Sequence, residues 1–278
     1  MRPARSSSAL KGADVVFTGL ILSLPYAGRM GGFHGVSQIG KYFQREVTMF
    51  SGSGNRIEPR GQSRHGVLRS VSGLPPAQVI PPQVLLGAYS QGVFPMADEG
   101  ELTWFSPILR GIIPLDDGFH IPHGLKRSIK RRPFEVKWDT DFRGTMKGCA
   151  ERERTWIDAT ILESYCLLHR LGYAHSVECH DGDGLQGGLY GVALGKVFFG
   201  ESMFSRKTDA SKIALVSLVE ELRARGFELL DTQWLTEHLE TFGGEEIPRD
   251  DYQLRLKRAL GQQDKVFHPP VLGPGRCG

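Results

Sequence analysis

The sequence lacks most of the features that mark specialised folds. Only four cysteines occur, at 149, 166, 179 and 277, and no two form a CxxC pair. That excludes a zinc ribbon and a secreted disulfide scaffold, and it fits reduced thiols in a cytosol. The histidines and carboxylates show no HExxH and no ligand spacing, so no metal is expected. Walker loops and GxSxG elbows are missing as well. No apolar run reaches the roughly 20 residues that a bilayer span needs. The longest, at 15–24, covers ten. It follows Arg2, Arg5 and Lys11 in the layout of a secretory signal, with Ala27 as a small residue on the cleavage side. A basic extension ahead of a later start is the other reading. The 35 glycines have no triplet period, which excludes collagen, and no internal repeat is present.

What is present is a globular composition, 40% apolar and 23% charged, which excludes a wholly disordered chain. Charge is uneven. Residues 1–80 hold ten Lys/Arg against three Asp/Glu, and residues 81–278 hold 24 against 28. Ser/Gly-rich stretches at 51–56 and 61–66 mark the first part as an extension without regular structure. From residue 79 onward ordered elements are expected. A short amphipathic helix at 83–90 stops at Gly92. Strands follow at 102–107 and 110–114, a helix at 122–132 and a strand at 134–138. Asp158 caps a helix over 159–171. Strands at 174–178, 189–193 and 196–203 form two hairpins. A helix over 212–225, apolar nearly all round, leads to a strand at 227–234. This is an α/β layout with a mixed sheet, α+β in its N-terminal part.

The last strand–helix–strand unit draws attention. A right-handed crossover pairs its strands in parallel and brings Glu201 and Asp231 to the same sheet edge. Residues two apart share a face, so Asp231 and Gln233 are polar groups at the carboxyl end of a buried strand, where ligands bind. Structural ion pairing or capping accounts for the same residues equally well. The run at 126–132 packs five basic residues into seven. On a helix Arg127, Lys130 and Arg131 share one face, which suits phosphate binding or a solvated surface. The weak negative charge of residues 81–278 gives no general attraction for nucleic acid, so any binding must be local.

Ten segments occur in order: AYSQGVFP at 88–95, WFSPILR at 104–110, TWI at 155–157, Leu168-His169, HSVE at 175–178, GGLYGV at 187–192, FGESMFS at 199–205, ASK at 210–212, DTQ at 231–233 and His238-Leu239. Together they resemble the leucyl/phenylalanyl-tRNA–protein transferase family, over about 83–260. Each piece alone is weak; the ordered series is specific.

The resemblance implies a small N-terminal domain, 81–115, and a GNAT-type acyltransferase domain, 116–262, flanked by the extension 1–80 and a tail 263–278. It implies a monomeric cytoplasmic enzyme of N-end-rule protein degradation, without cofactor or membrane attachment. Its partners would be Leu-tRNA or Phe-tRNA and proteins with N-terminal Arg or Lys. Asp231 and Gln233 would be catalytic, with Asp231 polarising or orienting Gln233, which holds the attacking amine. Glu201 would meet the Arg or Lys side chain. Trp156, Tyr89, Tyr165 and Met96 would surround the aminoacyl-adenosine. Leu218, Leu222 and Leu230 would form the aminoacyl pocket, with plain core packing the equal alternative. Arg127, Lys130 and Arg131 would contact tRNA. Met96 stands where a Trp is common, His123 where an Arg is common, His180 for a Trp and Gln186 for an apolar residue. Two other functions remain open. A CoA-dependent N-acetyltransferase would want a glycine-bearing pyrophosphate loop, and 205–210 has no glycine. A non-catalytic tRNA- or degron-binding module would not need Asp231 and Gln233.

Overall fold

The computed structural model describes residues 79–98 and 101–261. The expected extension, its signal-like run and the expected tail lie outside the described residues, apart from Val79 and Ile80. The chain begins with helix α1 (Pro82–Ser90), the two-stranded antiparallel sheet β1 (Phe94–Asp98) and β2 (Glu101–Phe105), and strand β3 (Leu109–Ile113). Then come α2 (His123–Lys130), β4 (Glu135–Trp138), α3 (Phe142–Ala150), α4 (Ala159–Arg170) and strands β5 (Ala174–Asp181), β6 (Gly184–Leu194) and β7 (Val197–Ser205). α5 (Ala210–Ala224) crosses over to β8 (Leu229–Gln233), and α6 (Glu237–Glu240), β9 (Glu245–Pro248) and α7 (Arg249–Leu260) complete the order.

Seven strands form one mixed sheet in the order β4-β5-β6-β7-β8-β3-β9. Its pairings are antiparallel except β7 with β8, the parallel pair that α5 connects. Side chains alternate across the sheet. Phe199 therefore joins a core with α1, α3, α4 and α7, while its neighbour Phe198 joins a second core with α5 and Leu125 of α2. Asp158 caps α4 as expected, accepting from the Ile161 amide at 2.8 Å.

Several elements differ from the sequence reading. β3 was expected within the N-terminal unit, yet it is a strand of the large sheet, between β8 and β9. The expected boundary at 115 thus leaves it on the far side from its own sheet. β1, α3, β9 and α7 carried no usable pattern. α7 buries only Tyr252, Leu256 and Ala259, a stripe too narrow to stand out in a polar segment. α3 contains two glycines, poor helix formers, and begins where Asp141 accepts from the Gly144 amide.

The HSVE segment has a structural explanation. Glu178 is fully buried and accepts from the Asp141 amide at 2.8 Å, the Ser176 hydroxyl at 2.7 Å, and the amide and hydroxyl of Thr140. It fastens the start of α3 to β5. Removing it strands the buried Ser176 hydroxyl, at roughly 1–3 kcal/mol, and frees the part-buried donors of Thr140 and Asp141. Glu178→Ala is therefore expected to lower stability by about 3 kcal/mol in urea unfolding. A loss below about 1 kcal/mol would contradict this role.

Candidate active site

β7 and β8 pair only as far as Phe199 with Asp231. Just beyond, each strand has a register shift against its other neighbour. Opposite Tyr190 and Gly191 on β6, Glu201 is the extra residue of β7. Opposite Gly111 and Ile112 on β3, Thr232 is the extra residue of β8. Such bulges re-aim side chains and end pairing. A pocket of about 280 Å³ opens at this point. Its lining combines the apolar Leu189, Met203, Leu215, Leu218, Leu230 and Leu239 with the polar Glu201, Ser202, Thr232 and Gln233. Phe94, Met96, Trp156 and Trp234 also line it.

Glu201 accepts from the Tyr89 hydroxyl at 2.7 Å, the Tyr165 hydroxyl at 3.3 Å and Gln233 Nε2 at 3.0 Å. The two tyrosine hydroxyls also bond each other. Burial pushes the Glu201 carboxyl up to about 8, with Tyr89 opposing and the Asp231 charge adding to the rise. Burial, followed by the Glu201 charge, also raises both tyrosines well above their ordinary value.

Asp231 sits in a different environment. Arg110 grips both of its oxygens with one edge of the guanidinium, Nε to Oδ1 at 2.8 Å and Nη2 to Oδ2 at 2.6 Å, and Tyr252 donates to Oδ2 at 2.6 Å. The Gln233 amide donates to Oδ1 at 2.8 Å. Arg110 is 1% exposed and Asp231 0%. Arg110 Nη1 also donates to the Gly92 carbonyl at 2.8 Å. Gly92 has φ +71°, and a Cβ there would stand 2.7 Å from the Tyr252 ring, so this close approach requires glycine. Gln233 itself has φ +60°, an unusual value for a residue with a side chain. The hydrogen bond from its backbone N–H to Asp231 Oδ1 holds it there.

The structure brings Glu201, Gln233, Met96, Trp156, Leu218 and Leu230 together around one pocket. Other expected positions differ. Tyr89 and Tyr165 are fully buried and bonded to Glu201, so they offer no ring face for a base to stack on. Leu222 is fully buried in the second core and does not line the pocket. Asp231 meets the backbone of Gln233, not its side-chain amide. Arg127, Lys130 and Arg131 are exposed, at the end of α2, with no ion-pair partner among the described residues. His123 is exposed at the start of α2, and Gln186 is buried with Nε2 donating to the Gly184 carbonyl at 3.3 Å. His180 lies 3.5 Å from Glu178. Sequence reasoning gave no role to Arg110 or Tyr252, although a charged residue in the apolar strand at 110–113 hinted at a buried partner. The loop after β7 is occupied by its own ion pairs, Arg206 with Glu151 and Lys207 with Asp181 and Asp183, which leaves it unsuited to cradle a pyrophosphate.

Comparison with known proteins now decides the family. The family model described as leucyl/phenylalanyl-tRNA protein transferase matches residues 112–257, and the model of its N-terminal domain matches 79–108. The chain belongs to the leucyl/phenylalanyl-tRNA–protein transferase family, a family of aminoacyltransferases. A protein of that name from Akkermansia muciniphila is 59% identical over 187 residues, covering 66% of this chain and 97% of that protein. One from Cereibacter sphaeroides is 53% identical over 203 residues, covering 72% of this chain and 93% of that protein. A third, from Herpetosiphon aurantiacus, is 53% identical over 179 residues, covering 64% and 94%.

The raised Glu201 carboxyl has a measurable consequence for this transferase. Between the ordinary carboxylate range and about 8, the folded protein holds a proton that the unfolded chain releases. This group's contribution to stability therefore falls as pH rises through that window. Glu201→Gln cannot ionise, so its stability relative to the native protein should grow from pH 5 to pH 8, by about 1 kcal/mol or more. A difference that stays constant over that range would contradict the buried, starved carboxylate.

Proposed function

We propose that this chain transfers Leu or Phe from aminoacyl-tRNA to the α-amino group of proteins that begin with Arg or Lys. The observation that carries this reading is the hydrogen bond between Gln233 and Glu201 in a pocket that is otherwise lined largely by apolar side chains. The apolar lining, with Leu218 and Leu230, which are also part of the second core, suits a Leu or Phe side chain. Trp156 and Met96 suit the two faces of a terminal adenine, Met by its adaptable thioether.

Gln233 turns its Nε2 toward Glu201, which leaves its Oε1 to accept a hydrogen from the incoming amine. The neutral amine attacks the ester carbonyl, a tetrahedral oxyanion forms, and the ribose oxygen leaves and takes up the proton the amine loses. The ester is already activated, so positioning supplies much of the rate. Asp231 is a positioning residue in this scheme. Its oxygens are engaged by Arg110, Tyr252 and the Gln233 amide, and it has no exposure through which to meet a substrate.

Glu201 is the selector. Its carboxylate is poorly solvated, and a cationic side chain beside it favours the ionised form. Arg or Lys supplies that charge; Met or Gln does not. Arg127, Lys130 and Arg131, on exposed ground, suit the phosphates of the tRNA body. We place the enzyme in the cytoplasm as a monomer acting in N-end-rule tagging. No helix among the described residues is long and apolar enough to cross a membrane.

The test is a transfer assay with labelled Leu-tRNA and peptides beginning with Arg or with Met. Label is expected on the Arg peptide and at most weakly on the Met peptide. Gln233→Ala should lose about 100-fold in rate, the scale of a positioned acid–base group. No label on either peptide would overturn the function, and near-normal turnover by Gln233→Ala would overturn its role.

A further inference from the structure

Arg152 has no part in the scheme above. Among the described residues it is the one Lys or Arg lining the pocket; it is exposed, and it shares the loop 151–158 with Trp156. Its Nε donates to the Cys149 carbonyl at 2.8 Å, and its Nη2 to Ser202 Oγ at 3.1 Å and the Met203 carbonyl at 3.2 Å. All three acceptors are neutral, and among the described residues no carboxylate pairs with Arg152; Glu201, in the same pocket, is held by Tyr89, Tyr165 and Gln233. The neighbouring Glu151 is engaged by Arg206 at 2.8 Å. Among the described residues Nη1 has no protein acceptor.

A long side chain normally loses mobility when it grips a ligand, and that costs affinity. Here the protein has already fixed the guanidinium. What remains is an oriented cation with free donors on the wall of a pocket. Arginine's planar fork matches a phosphate in charge and geometry.

We infer that Arg152 binds the phosphodiester joining the last two nucleotides of the tRNA, the first phosphate beyond the aminoacylated adenosine. The inference rests on the aminoacyl-tRNA reading above. Every tRNA ends in CCA, so the terminal adenosine carries a 5′-phosphate linked to cytidine. With adenine at Trp156 and Met96 and the ester at Gln233, that phosphate is the anion nearest the pocket. The exposed cations of α2 belong to a separate element and suit phosphates further along the RNA.

Two unreactive probes separate these contacts. One is adenosine bearing phenylalanine through a 3′-amide. The other is the same molecule extended by a 5′-linked cytidylyl phosphate. The native protein should bind the phosphate-bearing probe about tenfold more tightly at 0.1 M salt, a charge-assisted hydrogen-bond effect. Arg152→Ala and Arg152→Gln should bring the two affinities within about twofold of each other, with nucleoside affinity unchanged. Arg127→Ala combined with Lys130→Ala should leave the gap intact, while weakening whole-tRNA binding and flattening its salt dependence.

An unchanged gap in both Arg152 variants would overturn the inference. An equal loss for both probes would make Arg152 a strut of the Trp156 loop and overturn it too. Equal affinity of the native protein for the two probes would overturn it and leave the proposed function standing. If neither probe binds the native protein, the aminoacyl-tRNA reading falls along with it.

Discussion

The buried pair of Arg110 and Asp231 is the interaction on which the site depends. It joins four parts of the chain: β3 through Arg110, β8 through Asp231, α7 through Tyr252, and the turn after α1 through the Gly92 carbonyl. Arg110 also lies over the rings of Phe94 and Tyr252, at 4.9 and 4.5 Å. A charge this deeply buried persists only when it is paired and its hydrogen bonds are satisfied, and breaking such a pair from one side is costly. Part of what the pair secures is local. Asp231 also holds the Gln233 amide and so keeps that residue in its left-handed conformation beside the pocket.

Two carboxylates thus stand close together with opposite treatment. Asp231 has a guanidinium as counter-ion, whereas Glu201 has tyrosine hydroxyls and an amide. The first is neutralised by the protein and serves the scaffold. The second is left short of positive charge and open to the pocket, which is the arrangement expected of a group awaiting a cationic partner. The strand pairing explains the location. Parallel contact between β7 and β8 stops at Phe199 and Asp231, and the bulges at Glu201 and Thr232 open the sheet at that point.

Much of this was legible in the sequence because it follows from local rules. The crossover through α5 placed Glu201 beside Asp231 and Gln233, and the Asp158 cap placed α4. What escaped depends on distant residues. Arg110 and Asp231 are 121 positions apart, and nothing local marks them as partners. Bulges leave no periodic signature, so the pocket's opening could not be read. Tyr89 and Tyr165 belong to apolar helix stripes, which gave no sign that their hydroxyls would converge on Glu201 rather than their rings on a nucleotide. Leu218 and Leu222 share a helix stripe as well, and only the position of the strand ends decides which of them meets the cavity.

The proposed positioning role of Asp231 rests on a network reaching back to α7, and the most direct test touches the far end of that network. Tyr252 donates to Asp231 but does not line the pocket. The measurement is the single-turnover transfer rate of Tyr252→Phe, with the binding of aminoacyl-tRNA and peptide determined separately. Losing one charge-assisted hydrogen bond should slow transfer about 5–10-fold with both affinities unchanged and the protein folded. A native rate in that variant would contradict the account, because Asp231 would then not need its anchor for the reaction.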